Sequence, residues 1–126
     1  MATTKKSTKK ILICDDEEGV RESLKLILEK DFDLVITDSG AQCIELAKAK
    51  NSNLGAVLLD IRMPLVNGLT VLRAIREHQP KMPVLMVTGY KSVEAAVETT
   101  RLGANGYIVK PFNSSEILES VRRFMG

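Results

Sequence analysis

Five short apolar runs recur along this chain, beginning near Ile11, Leu34, Ala56, Val84 and Tyr107, and each is followed by a stretch whose apolar residues have helical spacing. That alternation constrains the fold more than any other feature. Runs such as Ile11-Leu12-Ile13-Cys14, Ala56-Val57-Leu58-Leu59 and Val84-Leu85-Met86-Val87 are near-continuous and do not alternate with polar residues. Such runs predict strands buried on both faces, as in a parallel sheet covered by crossover helices. The predicted fold is therefore α/β: a doubly wound, five-stranded parallel sheet in strand order 2-1-3-4-5, a flavodoxin-like (βα)5 arrangement.

The helices must supply the stripes that cover such a sheet. Val20, Leu24, Ile27 and Leu28 are expected to do so in the first helix, Ala41, Ile44 and Ala47 in the second, and Leu69, Leu72 and Ile75 in the third. The inner stripe of the fourth is read as Val93, Ala96, Val97 and Thr100, with Gly103 as a left-handed stop after it. Ile117, Val121 and Phe124 cover the sheet from the last helix, which Asn113 and Glu116 are placed to cap reciprocally.

A length of 126 residues with 44% hydrophobic content fits one domain with a substantial core. Residues 1–8 read as a polar basic tail expected to be disordered, and 9–126 as the domain. The formal charge of +2 is concentrated at the start: of 18 basic residues, Lys5, Lys6, Lys9 and Lys10 lie in the first ten positions, leaving 14 against 16 acidic residues. The body thus lacks the basic excess of a nucleic-acid binder, and direct nucleic-acid binding is not expected. No apolar stretch approaches the ~20 residues of a membrane span, so no membrane role is expected either. The cysteines, Cys14 and Cys43, have no metal-site spacing and suit buried thiols in a reducing cytoplasm, where the protein is placed.

Polar residues follow the apolar runs directly: Asp15 and Asp16 after the first, Asp60 after the third, Thr88 at the end of the fourth, Lys110 after the fifth. In open parallel sheets, ligands sit outside the carboxyl ends of the strands where the winding reverses, so these residues are candidates for one site. A nucleotide-binding version of the fold would carry glycines after the first strand. This chain has Asp15-Asp16-Glu17-Glu18, which repels phosphate but can hold a hard divalent cation. With Asp60 close by, the cluster suits carboxylate attack on a phosphoryl group, Lys110 and Thr88 meeting the developing charge.

These residues, together with Asp60-Ile61-Arg62-Met63-Pro64, Asn67-Gly68, Thr88-Gly89, Tyr107 and Lys110-Pro111-Phe112, closely resemble the receiver domain of bacterial two-component response regulators. The resemblance runs from about Lys9 to Met125. It implies that Asp60 is the phosphoacceptor for a cognate histidine kinase or phosphotransfer protein. Asp15, Asp16 and Asp60, with the backbone carbonyl of Arg62, would hold Mg²⁺ or Mn²⁺. Thr88 and Lys110 would contact the phosphoryl group, the Lys110-Pro111 bond would be cis, and Thr88 and Tyr107 would form a coupled switch. An output protein or domain would read the face of helix four, strand five and helix five, where Arg101, Arg122 and Arg123 could support pairing with a second copy.

On this reading the chain is not an enzyme beyond its own phosphoryl transfer and autodephosphorylation. Two alternatives stand beside it. A phosphatase of the haloacid-dehalogenase type would need a second carboxylate two residues after the nucleophile, where this chain has Arg62. A phosphorylation-independent module of the same fold would be expected to lack some of the acids, the threonine or the lysine, and none is missing.

Overall fold

The computed structural model describes residues 8–49 and 53–125. All of the predicted tail except Thr8 lies outside the described residues. The elements alternate strictly: β1 (Lys10–Cys14), α1 (Glu18–Leu28), β2 (Asp33–Thr37), α2 (Gly40–Lys48), β3 (Leu54–Leu59), α3 (Gly68–His78), β4 (Val84–Thr88), α4 (Val93–Arg101), β5 (Gly106–Val109) and α5 (Ser114–Met125). All strand pairings are parallel and the order is β2-β1-β3-β4-β5, the flavodoxin-like order expected. Among the described residues no helix is long and apolar enough to cross a membrane.

Alternate residues of each strand point to opposite faces, so the sheet divides the core into two layers. Leu12, Val57, Leu59, Val84 and Met86 pack under α2 and α3 with Cys43, Val71, Leu72 and Ile75. Ile11, Ile13, Leu58, Leu85 and Val87 pack under α1 and α5 with Leu24, Leu28, Ile117 and Val121. The central strands β3 and β4 are buried along their whole length, as their unbroken apolar runs require.

Helix starts follow the local chemistry. Ser39, Asn67 and Ser92 each accept a backbone N–H of the first turn, from Gln42 (3.2 Å), Leu69 (2.7 Å) and Ala95 (3.2 Å) respectively. Before α5, Asn113 Oδ1 accepts from the Glu116 N–H at 3.0 Å and Glu116 Oε1 from the Asn113 N–H at 3.2 Å, the reciprocal cap expected. Helix α1 is the exception: Glu17 stands at its N-cap and makes no side-chain capping bond. Gly103 has φ +100° and ends the turn after α4, as predicted.

Helix α4 presents a different face from the one expected, and α2 departs from expectation at one position. In α4, Val93 and Val97 are 80% and 52% exposed, while Ala95 and Thr99 are buried. Hydrophobicity favoured the valines, but the smaller Ala95 and Thr99 face inward, and Thr99 satisfies its hydroxyl on the Ala96 carbonyl at 3.0 Å. Val93, Ala96, Val97 and Thr100 thus line an outward apolar groove. In α2, Ala47 is buried and Ile44 packs on the core as expected, joined by Gly40 and Cys43, while Ala41 is exposed. The Gly40 backbone sits so near Val66 that an added Cβ would lie 2.9 Å from the valine Cβ.

Candidate functional site

Register alone brings the site together. Cys14 pairs with Leu59, so Asp15 and Asp60 leave adjacent strands side by side, and the Asp60 N–H donates to the Cys14 carbonyl at 3.1 Å. This is where the winding reverses, since β1 has β2 on one side and β3 on the other. Thr88 pairs with Val109, and the Lys110 N–H donates to the Thr88 carbonyl at 2.8 Å, which sets Lys110 above the end of β4. The Lys110-Pro111 bond is cis.

Asp15, Thr88 and Asp60 are buried, while Asp16 and Glu17 stand at the rim. Carboxylate oxygens of Asp15, Asp16, Glu17 and Asp60 all lie within 4.8 Å of one another. Four acids this close repel, and one cation is set among them: Lys110 Nζ lies 2.8 Å from Asp15 Oδ2, 3.0 Å from Asp60 Oδ2 and 3.1 Å from Glu17 Oε1. Burial works against the ammonium charge, but its interactions with the accepting carboxylates of Asp15 and Asp60 outweigh it and hold Lys110 above the ordinary lysine value. Desolvation pushes the Asp15 carboxyl up, with Lys110 and the Glu17 N–H pulling the other way.

A cavity of about 310 Å³ opens over Asp60, bounded by Asp16, Glu17, Arg62, Thr88 and Tyr90. The Arg62 guanidinium lies 4.1 Å from the centre of the Tyr90 ring, a cation–π contact that closes one wall. The Arg62 N–H approaches Asp60 Oδ1 at 3.3 Å. Beyond it, Leu65 holds φ +69° with the Val66 N–H donating to the Pro64 carbonyl at 2.7 Å, a tight left-handed turn that is rare for a branched residue. Thr88 and Tyr107 meet at one peptide segment: Thr88 Oγ1 accepts the Tyr90 N–H at 3.2 Å, and the Tyr107 hydroxyl donates to the Tyr90 carbonyl.

Asp15, Asp16, Asp60, Thr88 and Lys110 therefore gather at one edge of the sheet, with Tyr107 one step removed through Tyr90, whereas Arg101 and Arg122 pair with Glu98 and Asp31 on α4 and beside α5. Sequence reasoning missed Glu17 as a participant. It stood out only as one of four consecutive acids, and its reach to Lys110 depends on the turn before α1. The thiols of Cys14 and Cys43 are buried, and that of Cys14 is pushed up by its hydrogen bond with Cys43 and by desolvation. It is thus an inert thiol, with its sulfur 3.7 Å from the Ser39 carbonyl. His78 is exposed and rests on the Ala74 carbonyl at 2.9 Å.

The family of this open α/β sheet, with its carboxylate cluster, lysine and hydroxyl at the switch point, is assigned by sequence comparison. The chain belongs to the response regulator receiver domain family, which it matches over residues 11–122. It is 36% identical over 115 residues to the regulatory protein AtoC of Escherichia coli (strain K12), covering 90% of this chain and 24% of AtoC. It is 35% identical over 119 residues to protein CcdB of Bacillus subtilis (strain 168), covering 93% and 98%. A crystal structure of a CheY-like response regulator receiver domain protein from Methanospirillum hungatei JF-1 is similar at a TM-score of 0.85 and 35% identity, covering 94% of each chain. The chain spans about a quarter of the length of AtoC and of the other first relative matched, the transcriptional regulator DctD of Pseudomonas aeruginosa.

Proposed function

We propose that this chain is a phosphoacceptor signalling domain of a two-component system, in which Asp60 takes a phosphoryl group from a histidine kinase or phosphotransfer protein. The observation that carries the reading is the Lys110 ammonium, held 2.8 and 3.0 Å from the buried carboxylates of Asp15 and Asp60. An Asp60 carboxylate oxygen forms the new bond to phosphorus as the bond from phosphorus to the donor's imidazole nitrogen breaks, the leaving nitrogen keeping the electron pair. The carboxylate charge of Asp60 is lost in that step, and the Lys110 ammonium can then meet a phosphoryl oxygen. Thr88 can turn its hydroxyl to a second.

The donor set fits a hard divalent cation: four carboxylates and no imidazole, with the nearby Cys14 sulfur directed to Ser39 and Met63. Asp15, Asp16 and Asp60, with the Arg62 carbonyl, would hold Mg²⁺ or Mn²⁺. Its charge would offset that of the phosphoryl oxygens and of the crowded acids. Glu17 is a fourth carboxylate at this site.

The output follows from Tyr90, whose peptide groups tie Thr88 to Tyr107. If Thr88 turns to the phosphoryl group, the Tyr90 N–H loses its acceptor, and the loop leading to α4 must find another arrangement. The outward groove of Val93, Ala96 and Val97 lies on the helix that this loop enters, so α4, β5 and α5 form the face that an output partner or a second copy would read.

Intact-mass measurement with a small phosphodonor tests the reading. We expect a gain of one phosphoryl group that requires Mg²⁺ and is absent in Asp60→Asn. A gain that survives in Asp60→Asn would place the acceptor elsewhere. The Arg62–Tyr90 stack screens one approach of water to the product, so Arg62→Ala is expected to shorten the acyl phosphate lifetime by about three-fold or more, the loss of one cation–π contact of ~1 kcal/mol. Decay of the phosphorylated mass with time measures it.

A further inference from the structure

We propose that Glu17 is a built-in competitor for Lys110, occupying one N–H of its ammonium until an incoming phosphoryl oxygen displaces it, and so slowing capture from small anionic donors. The inference rests on the reading of Asp60 above. The ammonium donates hydrogen bonds to Asp60 at 3.0 Å and Glu17 at 3.1 Å and is ion-paired with Asp15 at 2.8 Å. Three carboxylate oxygens crowd it, and a phosphoryl oxygen reaches the donor that faces Glu17 only when Glu17 lets go.

The three differ in what release costs. The Asp15 and Asp60 side chains are 2% and 4% exposed, while that of Glu17 is 62% exposed, so its carboxylate returns to water with little penalty. Asp15 keeps the ammonium in place after Glu17 leaves. Glu17 is therefore not needed to position Lys110, and what it adds is occupancy and negative charge at the mouth of the cavity.

A second observation comes from α1. Glu17 holds the N-cap position, where Ser, Thr, Asp or Asn would stabilise the helix, yet its side chain caps nothing. Ser39, Asn67 and Ser92 do cap their helices. The Glu17 carboxylate is turned instead across the site to a lysine 93 positions away. It also borders two hollows at once, the one over Asp60 and another beside Val20, Ser23 and Phe112.

The test is the rate of mass gain with acetyl phosphate and saturating Mg²⁺, in which the P–O bond to acetate breaks as the Asp60 O–P bond forms. Glu17→Gln, which removes the charge, is expected to react about three-fold to ten-fold faster, the scale of one exposed ion pair plus the repulsion lifted from an anionic donor. Glu17→Asp keeps the charge but is too short for the contact, and should recover part of that gain. Each variant is compared at its own saturating Mg²⁺, which sets competition for Lys110 apart from any change in metal affinity. A rate no faster than native in Glu17→Gln, or a Glu17→Asp rate equal to native, would overturn the assignment. If the native chain itself gains no phosphoryl group, it is the reading of Asp60 that fails, so the two failures are distinguishable.

Discussion

Gly68→Ala is expected to cost about 3 kcal/mol, the upper end for overpacking, and to lower the melting temperature by about 10 °C for a domain of this size. A Cβ at position 68 would overlap the Asp60 carbonyl oxygen and lie 2.7 Å from Ile61 Cα. Neither neighbour is a flexible side chain. Both belong to the backbone that carries Asp60, and the Gly68 N–H fastens α3 to it by donating to the Ile61 carbonyl at 2.7 Å. Relief therefore means moving Asp60 or the first turn of α3, and phosphoryl capture should fall along with stability. Thermal unfolding and the mass assay read the two effects; a native melting temperature would mean that the loop gives way more easily than its contacts indicate.

Lys110→Met should be nearly as damaging, but conditionally so. It leaves the buried carboxylates of Asp15 and Asp60 without the cation that lies within 3.0 Å of both. Removing one partner of a buried ionic cluster costs about 3 kcal/mol. The deficit should be largest at neutral pH. Burial already raises the Asp15 carboxyl, and without Lys110 it rises further. An acid with a raised value in the folded state favours folding while protonated and loses that advantage as pH climbs through the folded value. The variant should accordingly approach native stability toward acid pH, and also on addition of Mg²⁺, by about 1.4 kcal/mol at a tenfold excess over its Kd. Melting curves across pH, with and without MgCl₂, measure this; a deficit indifferent to both would mean that lost packing, and not lost charge, is responsible.

The residues that build the site were legible because each stands at a discontinuity. Asp15, Asp60 and Lys110 directly follow apolar runs and Thr88 ends one, and a parallel sheet in register carries such positions to one edge whatever its helices do. The face of α4 was less legible. Val93 and Val97 outweigh Ala95 and Thr99 on any hydrophobic scale, yet the fold buries the smaller pair, and hydrophobic periodicity does not report which small residues meet the sheet. Glu17 was hidden for another reason. Its role depends on a side chain crossing to a lysine from the opposite end of the chain, and only the folded geometry records which of four successive acids makes that crossing.

The division of the core by the sheet has a consequence for how this domain tolerates change. Leu12, Leu59 and Met86 face one layer and Ile13, Leu58 and Leu85 the other, so the strands act as a bulkhead. Defects on the α3 side and on the α1 side share no side-chain neighbours, and their costs should simply sum. Each half can drift without renegotiating its opposite, whereas the rim residues at the carboxyl ends, which answer to both halves, have no such freedom.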